Sequence, residues 1–568
     1  MLREYALIAD GERGALIGPR GDIAWMCAPR WESPAVLSSL IGGVGAYTVT
    51  PVGRCVWGGY YEGPSLIWLN RWITNSGVVE CRDALAFPGD PQRIVLLRRI
   101  VAVDSPAELD VELDLRAEFG ERPLRDVRCS EGSWTGRAGP LNVRWSGARE
   151  AAEEPGPRLS FRLALQPGEQ RDLVLELSEQ SLPDRPPEPA QLWTDTERAW
   201  QRAVPEIAGS IAPGDARHSY AVLRGLTSQT GGMVAAATTS LPERAEQGRN
   251  YDYRYVWIRD QALAGQAVAD CGHPELLDAA VTFVSERLLA DGPHLAPAYT
   301  VEGGPIPDQQ SLDLPGYPGG YDIIGNHVNA QFQLDVFGES LLLLGTAAAR
   351  DRLTPEGWRA VEVAADSVAD RWHEPDAGIW ELDQHRWAQS RLSCVAGLHA
   401  VAARAPAHQA ADWTELADRI LSDVRSDCLH PSGRWQRAPD DVGSDGALLL
   451  PAVRGLPSEV EPINVRTMHA LCAELADDHF LYRFRHQPGP LGDAEGAFLL
   501  CGFVMAMAQH RYGDPIEAVR WFERNRSACG PAGLYAEEYD VGERQLRGNL
   551  PQAFVHAMML ESSVRLSR

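Results

Sequence analysis

The feature that most constrains the fold is a change of hydrophobic period near residue 190. Before that point, apolar and polar residues alternate, as in residues 108–115 (ELDVELDL), 158–163 (RLSFRL) and 172–177 (DLVLEL). An alternation of period two is typical of strands with one buried face, and proline and glycine turns separate these segments. Several such strands predict an antiparallel β-sandwich over residues 1–190.

Beyond about residue 214 the apolar residues recur with the period of a helix. We predict helices at 214–229, 259–271, 274–290, 326–349, 355–372, 389–404, 411–427, 459–475, 494–510, 515–528 and 550–566. Close to a dozen helices joined by irregular loops favour a toroid of paired helices over a four-helix bundle. A proline-rich stretch at 182–189 precedes a linker helix, so we divide the chain into 1–190, 191–213 and a helical catalytic domain, 214–568.

Net charge and the absent lysine exclude several classes of function. The formal net charge is −25, which repels phosphate backbones and anionic membranes. We therefore expect no nucleic acid and no membrane partner, whereas a neutral sugar meets no such repulsion. The chain contains no lysine, which excludes Schiff-base chemistry and the P-loop lysine.

Cysteine usage and the first residues predict a cytoplasmic protein. The ten cysteines are scattered without a CxxC pair, as expected of reduced thiols. The start, MLREYALIAD, has no apolar stretch of signal-peptide length. The longest apolar run, residues 496–508, is too short to span a bilayer and predicts a buried helix.

The loop at residues 249–260 (RNYDYRYVWIRD) has the densest mixture of aromatic and charged residues in the chain. Aromatic faces stack on the C–H surfaces of sugars, and an Arg–Asp pair can bond neighbouring hydroxyl groups. This composition is typical of a carbohydrate site. The alternative is a packed loop with a structural ion pair.

Two acidic side chains far apart in sequence could act together. Glu381 directly follows Trp380, and a carboxyl group beside an indole loses hydration, which favours the protonated form. Glu537 lies in a second acidic cluster, GLYAEEYD at 533–540. Glycoside hydrolysis needs one carboxyl to protonate the leaving oxygen and another to activate water. Taken singly, a surface glutamate and a solvated acidic loop are the ordinary explanations. No HExxH or GxSxG motif competes, and we expect no metal and no cofactor.

Further motifs resemble those of glycoside hydrolase family 15, the bacterial glucoamylase and trehalase type. They are, in order, YALIAD (5–10), GDIAW (21–25), PRWESP (29–34), AATTSLPE (236–243), the 249–260 loop, QLDVFGE (333–339), GIWE (378–381), EGAFL (495–499) and GNLPQAFVH (548–556). The resemblance covers nearly the whole chain. It implies an N-terminal β-supersandwich, a C-terminal (α/α)6 barrel and an inverting, cofactor-free mechanism.

The same resemblance implies roles for single residues. Glu381 matches the general acid and Glu537 the general base, with Glu538 as the alternative because the doublet allows a shift of one. Arg259 and Asp260 match the pair that holds the non-reducing-end sugar. The aromatic walls are Tyr253, Trp257 and Trp380, and Arg483 is a further candidate for sugar binding. His327, in GNHVNA (325–330), departs from the family pattern.

These observations predict an inverting, exo-acting α-glucoside hydrolase of glucoamylase type, whose partner is an α-linked gluco-oligosaccharide or disaccharide. An α,α-trehalase is the first alternative, because only the leaving-group side of the pocket would differ. A phosphorylase-like transferase and a carbohydrate-binding protein without turnover are alternatives from other classes. The sequence leaves linkage preference and an oligomer open.

Overall fold

The structure of the protein is a computed structural model that describes residues 1–156, 158–245, 248–486 and 489–568. Within these residues the N-terminal part contains eighteen strands. They are β1 (Ala6–Ala9), β2 (Gly14–Ile17), β3 (Asp22–Cys27), β4 (Ala35–Leu37), β5 (Ala46–Pro51), β6 (Cys55–Tyr61), β7 (Trp68–Thr74), β8 (Val78–Leu85), β9 (Ile94–Ala102), β10 (Ala107–Asp114), β11 (Arg116–Ala117), β12 (Arg122–Pro123), β13 (Arg125–Ser130), β14 (Ser133–Ala138), β15 (Leu141–Ser146), β16 (Ala152–Glu154), β17 (Arg158–Leu165) and β18 (Gln170–Ser178).

Most of these strands form two antiparallel sheets. One has the order β1-β2-β3-β5-β10-β17-β16, with β4 paired to β3, and the other β13-β14-β15-β18-β9-β8-β7-β6. The alternation seen in the sequence sets the register: in β10, Leu109 and Val111 face inward opposite Leu163 and Phe161 of β17. The predicted antiparallel sheet domain is therefore confirmed.

The two sheets pack against each other around buried aromatic side chains. Tyr47 of β5 meets Trp145 of β15 edge to face, with ring centroids 5.8 Å apart, and the Trp145 indole donates a 2.9 Å hydrogen bond to the Tyr47 hydroxyl. Arg98 of β9 crosses the same interface and donates to the Tyr47 carbonyl. Its charge is balanced by Asp83, which is also fully buried. Burial of these large side chains supplies most of the driving force for sheet packing.

The rest of the chain is mainly helical. The helices are α1 (Pro189–Ala203), α2 (Pro213–Leu226), α3 (Ile258–Val268), α4 (Glu275–Asp291), α5 (Asp335–Ala348), α6 (Pro355–Arg371), α7 (Ala388–Ala402), α8 (Ala407–Asp427), α9 (Leu449–Arg454), α10 (Glu461–Glu474), α11 (Leu499–Tyr512), α12 (Pro515–Arg526) and α13 (Ala553–Arg565). Helix α9 has six residues and was not predicted. Helices α5 and α11 begin later than predicted. The predicted helical domain is confirmed.

Helix contacts follow a ring. Helix α3 contacts α5, and the contacts continue through α7, α9, α11 and α13 back to α3. The remaining helices after α1 lie against this ring, for example α4 on α3 and α12 on α11. Every residue of α3 is buried, as expected of a helix with neighbours on all sides. In the described part of the chain, no helix combines the length and apolar character needed to cross a membrane.

Short strands occur in the loops of the helical part. They are β19 (Val256–Trp257), β20 (Ala298–Tyr299), β21 (Gln310–Ser311), β22 (Ile323–Ile324), β23 (Ala476–Asp477), β24 (Phe480–Leu481), β25 (Ala497–Phe498), β26 (Glu538–Asp540) and β27 (Gln545–Arg547). Three of them matter for the site, because β19 runs directly into α3 and β25 pairs with β26.

The sandwich fixes the position of the 249–260 loop. Arg254 forms a buried ion pair with Asp252, at 2.7 Å, and donates to the carbonyl of Ser33 in the sandwich at 2.8 Å. Asp252 also accepts the backbone N–H of Gly325 at 2.9 Å. From the sandwich, the Trp25 indole donates to the carbonyl of Ala237 at 2.8 Å. These bonds hold the 249–260 loop and the segment beside it against both the sandwich and the helical part.

Candidate active site

A cavity lies in the helical part of the protein, and the empty space in it amounts to about 760 Å³, part of which is open to solvent. A concave site with a few convergent polar groups is where proteins bind small molecules. The starts of ring helices border it, because Arg259 and Asp260 belong to the first turn of α3, and Leu500 and Phe554 to the starts of α11 and α13. The residues that the sequence proposed and that line this cavity are Tyr253, Trp257, Arg259, Asp260, Trp380, Glu381, Arg483 and Glu537.

Glu381 lies in the loop between α6 and α7 and has a φ of +55°, a conformation that costs a non-glycine residue free energy. Asp376 holds this loop: its Oδ1 accepts the N–H of Gly378 at 2.7 Å and the Ser390 hydroxyl at 3.0 Å. Such strain persists only where surrounding bonds determine the backbone. The Glu381 side chain is thereby directed to the cavity.

The indole that bonds Glu381 is not its sequence neighbour. Trp257 donates from Nε1 to Glu381 Oε1 at 2.8 Å, and Arg259 Nη2 lies 3.6 Å from the same oxygen. Trp380 lines the cavity, but its Nε1 donates to Asp445 at 2.9 Å. The hydrogen-bonded Trp–Glu pair therefore comes from the tertiary structure, although the sequence proposed both residues.

Glu537 directly precedes β26, and its side chain is 6% exposed. The Tyr253 hydroxyl donates to Glu537 Oε2 at 3.3 Å. Burial raises the pKa of Glu537 well above its usual range, and the neighbouring Glu243 carboxylate raises it further. Burial also raises the pKa of Tyr253, so its hydroxyl keeps the proton that it donates.

Glu538 points away from the cavity. Successive residues of an extended chain face opposite sides, so Glu538 turns to the interior, where it is fully buried and accepts the N–H of Gly496 at 2.7 Å. Among the described residues that line the cavity, Glu537 is present and Glu538 is not. Of the two candidates for the base, Glu538 is therefore the one whose side chain lies outside the cavity.

Arg259 and Asp260 stand next to each other at the start of α3. Arg259 Nη1 donates to Gln333 at 2.8 Å and to Asp335 at 3.2 Å, which fixes the guanidinium. Burial raises the pKa of Asp260 to about 7, and Arg259 opposes that shift. Oδ1 of Asp260 is buried and has no hydrogen-bond partner among the described residues. A buried acceptor without a partner is costly, and a sugar hydroxyl would satisfy it.

Arg483 is placed between aromatic rings and an acidic partner. Its guanidinium lies 5.3 Å from the Trp380 ring centroid and 4.2 Å from that of Phe498, and it forms an ion pair with buried Glu495. Glu495 also contacts Arg249 at 2.9 Å. Arg483 therefore lines the cavity with its charge already partnered.

Sequence reasoning missed several residues of the cavity wall. Glu243 and Tyr251 line it, as do Gln552 and His327. Glu243 closes the AATTSLPE motif used for the resemblance, but nothing in its local sequence distinguishes it from a surface glutamate. His327 was noted only as a departure from the family pattern. Within the residues that the structure describes, no group of three or more His, Cys, Asp or Glu residues could hold a metal ion.

Two carboxyl groups on one cavity, beside a buried Arg–Asp pair and aromatic walls, are the equipment of a glycoside hydrolase. Comparison with known proteins agrees with this class. The family described as glycosyl hydrolases family 15 matches residues 217–564, and a trehalase-like N-terminal family matches residues 2–196. This chain belongs to glycosyl hydrolases family 15. The predicted family and the predicted class of enzyme are confirmed.

Relatives and solved structures add detail. A trehalase of Mycobacterium tuberculosis is 29% identical over 616 residues, covering 100% of this chain and 90% of its own. An isomaltose glucohydrolase of Kribbella flavida is 28% identical, covering 47% of this chain and 69% of its own. A bacterial glucoamylase crystallised with acarbose has a TM-score of 0.73 at 13% identity, covering 99% of this chain and 94% of that one. At that identity the likeness shows the fold alone.

Proposed function

We propose that this protein hydrolyses an α-glucosidic bond with inversion, with Glu381 as general acid and Glu537 as general base. The observation that carries the proposal is that both carboxyl groups line one cavity together with the Arg259–Asp260 pair. Inversion needs a proton donor at the glycosidic oxygen and a base for water on the opposite face of the sugar. Each of these proton transfers contributes about 10²–10⁴-fold to the rate.

The contacts of Glu381 suit the acid. The Trp257 indole hydrogen-bonds Oε1, and the Arg259 guanidinium forms an ion pair with the same oxygen. No described residue hydrogen-bonds Oε2. A proton carried on Oε2 is therefore free to move to the glycosidic oxygen. After the transfer, the negative charge on Oε1 is stabilised by the indole N–H and the guanidinium.

The contacts of Glu537 suit the base. The Tyr253 hydroxyl lies within hydrogen-bond distance of both carboxylate oxygens, and Glu537 lines the cavity in which the attacking water would bind. The raised pKa of Glu537 makes it a stronger proton acceptor than an exposed glutamate. Water then attacks C1 while the bond from C1 to the glycosidic oxygen breaks.

Arg259 and Asp260 would hold the glucosyl unit that is attacked. The unpartnered Oδ1 of Asp260 accepts from a sugar hydroxyl, and the guanidinium of Arg259 donates to another. Tyr253, Trp257 and Trp380 cover the apolar face of the ring. Binding of a terminal glucosyl unit by this pair would correspond to exo action.

We further propose that the ring of helices is an (α/α)6 barrel preceded by a β-supersandwich. The order of contacts from α3 to α13 and back, with α2, α4, α6, α8, α10 and α12 outside, supports this architecture. It would place the starts of the inner helices at one end, where the cavity lies.

The substrate we favour is α,α-trehalose. Relatives called trehalase match this chain along its whole length, and the N-terminal part matches a trehalase-like family. In trehalose both sugars are glucosyl units joined through their C1 atoms, so the second unit would be the leaving group. Glucoamylase-like release of glucose from an oligosaccharide stays the second candidate, since the isomaltose glucohydrolase match favours a terminal α-glucoside.

A panel of trehalose, maltose, isomaltose and longer maltodextrins tests the proposal. Product anomers should be followed by NMR in phosphate-free buffer. Trehalose should give β-glucose from the attacked unit and α-glucose from the leaving unit in equal initial amounts. Preference for maltodextrins, with β-glucose released, would favour the second candidate. A strict requirement for phosphate, with a sugar phosphate as the product, would indicate a transferase, and binding without turnover of any glucoside would contradict hydrolysis.

A further inference from the structure

A third carboxyl group, that of Glu243, lines the cavity near Glu537. Glu243 is 4% exposed and lines the same wall. Both side chains lie next to Gly548. A Cβ added to this glycine would lie 3.7 Å from Glu243 Cγ and 3.6 Å from Glu537 Cβ. After burial itself, Glu243 is the strongest influence that raises the pKa of Glu537.

The backbone holds this pair in place. The N–H of Glu243 donates to the carbonyl of Arg249 at 3.1 Å, and the N–H of Gly548 donates to the carbonyl of Pro242 at 3.0 Å. The carbonyl of Glu537 accepts the N–H of Leu499 at 3.1 Å. Both carboxyl groups are therefore presented by backbone that the surrounding structure fixes, so their contact does not depend on a mobile side chain alone.

Few positive charges near Glu243 and Glu537 are available to neutralise these two carboxyl groups. The titratable groups near the two carboxyls are Arg483, Asp260, Tyr253, Tyr251, Arg249, Glu495 and Glu538. Arg483 is the strongest positive influence on Glu243, yet it is ion-paired with Glu495. Although burial opposes it, Arg483 and His486 lower the pKa of Glu495 to about 2. Arg483 therefore neutralises Glu495 first, and neither Glu243 nor Glu537 forms an ion pair with it.

We infer that Glu243 is a positioning residue for Glu537: its carboxylate accepts a hydrogen bond from the proton that Glu537 takes from the attacking water. The inference rests on the proposed function, because it takes Glu537 as the base. Burial and the Glu243 carboxylate both raise the pKa of Glu537, as this arrangement requires. Glu243 itself touches neither the reacting carbon nor the leaving oxygen.

The proposed reaction balances in atoms and protons without another reactant. The water O–H bond breaks, an O–H bond forms on Glu537, and water oxygen bonds to C1. At the same time C1 parts from the glycosidic oxygen, which takes the proton of Glu381. Protonated Glu537 then donates to Glu243. Release of that proton to solvent and reprotonation of Glu381 restore the starting state.

The test is the pH profile of kcat/KM for Glu243→Gln with trehalose, or with the panel glucoside turned over fastest. Without the negative charge Glu537 loses its proton more easily. The acidic limb should therefore move to lower pH by about one unit or more, as for removal of a nearby like charge. Because the base is then weaker, kcat above the limb should fall several-fold.

Glu12→Gln is the matched control. Glu12 is buried, has a pKa raised by burial and lies outside the cavity wall, and its one backbone donor, Gln229, can still bond the amide oxygen. Its profile should superimpose on that of the wild type. Glu243→Asp keeps the charge but shortens the side chain, so its limb should move by less than that of Glu243→Gln.

An unmoved acidic limb in a folded variant that lacks the Glu243 charge, with kcat/KM lowered equally at all pH values, would overturn the inference. If Glu243→Gln does not fold, Glu243→Ala, which also removes the charge, is judged by the same criterion. The proposed function has its own test. Normal turnover by a Glu537→Gln variant would show that Glu537 is not the base. An inactive Glu537→Gln variant, together with an unmoved acidic limb in the Glu243 variant, would contradict only this inference.

Discussion

Tyr253 and Trp257 pack edge to face, with ring centroids 5.4 Å apart, and each donates a hydrogen bond to a different carboxyl group of the cavity. The Tyr253 hydroxyl bonds Glu537 and the Trp257 indole bonds Glu381. One rigid aromatic pair therefore sets the separation of the two acids. Aromatic rings in contact keep their geometry at low cost in side-chain entropy, which suits a site that must leave room for water.

Glu381→Gln should lower kcat on trehalose by about 10²–10⁴-fold, because the amide cannot protonate the leaving oxygen. Activity on α-glucosyl fluoride should largely survive, since fluoride leaves without a proton. Steady-state rates on the two substrates check this, with the melting temperature as the control for folding. Equal losses on both substrates would remove Glu381 from the role of acid.

Glu537→Gln should lose activity on trehalose and on the fluoride alike, because both reactions need a base for water. Glu538→Gln is the matched variant. Its amide oxygen can still accept the Gly496 N–H outside the cavity, so we expect kcat to stay within several-fold of the wild type. If Glu538→Gln loses activity and Glu537→Gln keeps it, Glu538 is the base.

Tyr253→Phe keeps the ring beside Trp257 but removes the donor to Glu537. A hydrogen bond to a charged group is worth about 1.5–3 kcal/mol, so kcat/KM should fall by about 10- to 100-fold. Trp257→Phe should produce a loss of similar size through Glu381. Kinetics of both single variants and the double variant check this. Strictly additive losses would contradict the coupling of the two rings.

Asp376→Asn should make stability less dependent on pH. Burial raises the pKa of Asp376 from 3.8 to about 8, so the folded protein binds a proton that the unfolded chain releases. For such a group, the free energy of unfolding falls as pH rises between these values, by about 1.4 kcal/mol per unit at most, and is level above the folded pKa. The amide has no charge to bury, and its oxygen can still accept the Gly378 N–H.

Urea unfolding of the wild type and of Asp376→Asn between pH 5 and 9 measures this effect. The stability of the variant relative to the wild type should rise up to about pH 8 and then stay constant. Parallel curves across the whole range would show that Asp376 is ionised throughout.

Sequence patterns anticipated most of the regular structure, and the exceptions have local causes. Residues 326–334 were expected in a helix, but the Asn326 side chain accepts the Val328 N–H at 3.0 Å, and such bonds compete with helical ones. Helix α11 starts at Leu499 because Ala497 and Phe498 pair with β26 instead. The missed helix α9 is too short for periodicity to detect.

Local patterns along the chain specify the alternation that makes the sheets, the helical period of the rest and the two acidic segments with their aromatic neighbours. Which side chains meet follows from the packing of the whole fold: Trp257 bonds Glu381, Glu537 faces the cavity while Glu538 does not, and Glu243 lines the same cavity as Glu537. Periodicity is a property of neighbouring residues and can be seen in one segment. Contacts between residues that are 124 or 284 positions apart depend on how the helices and loops pack, which no single segment encodes.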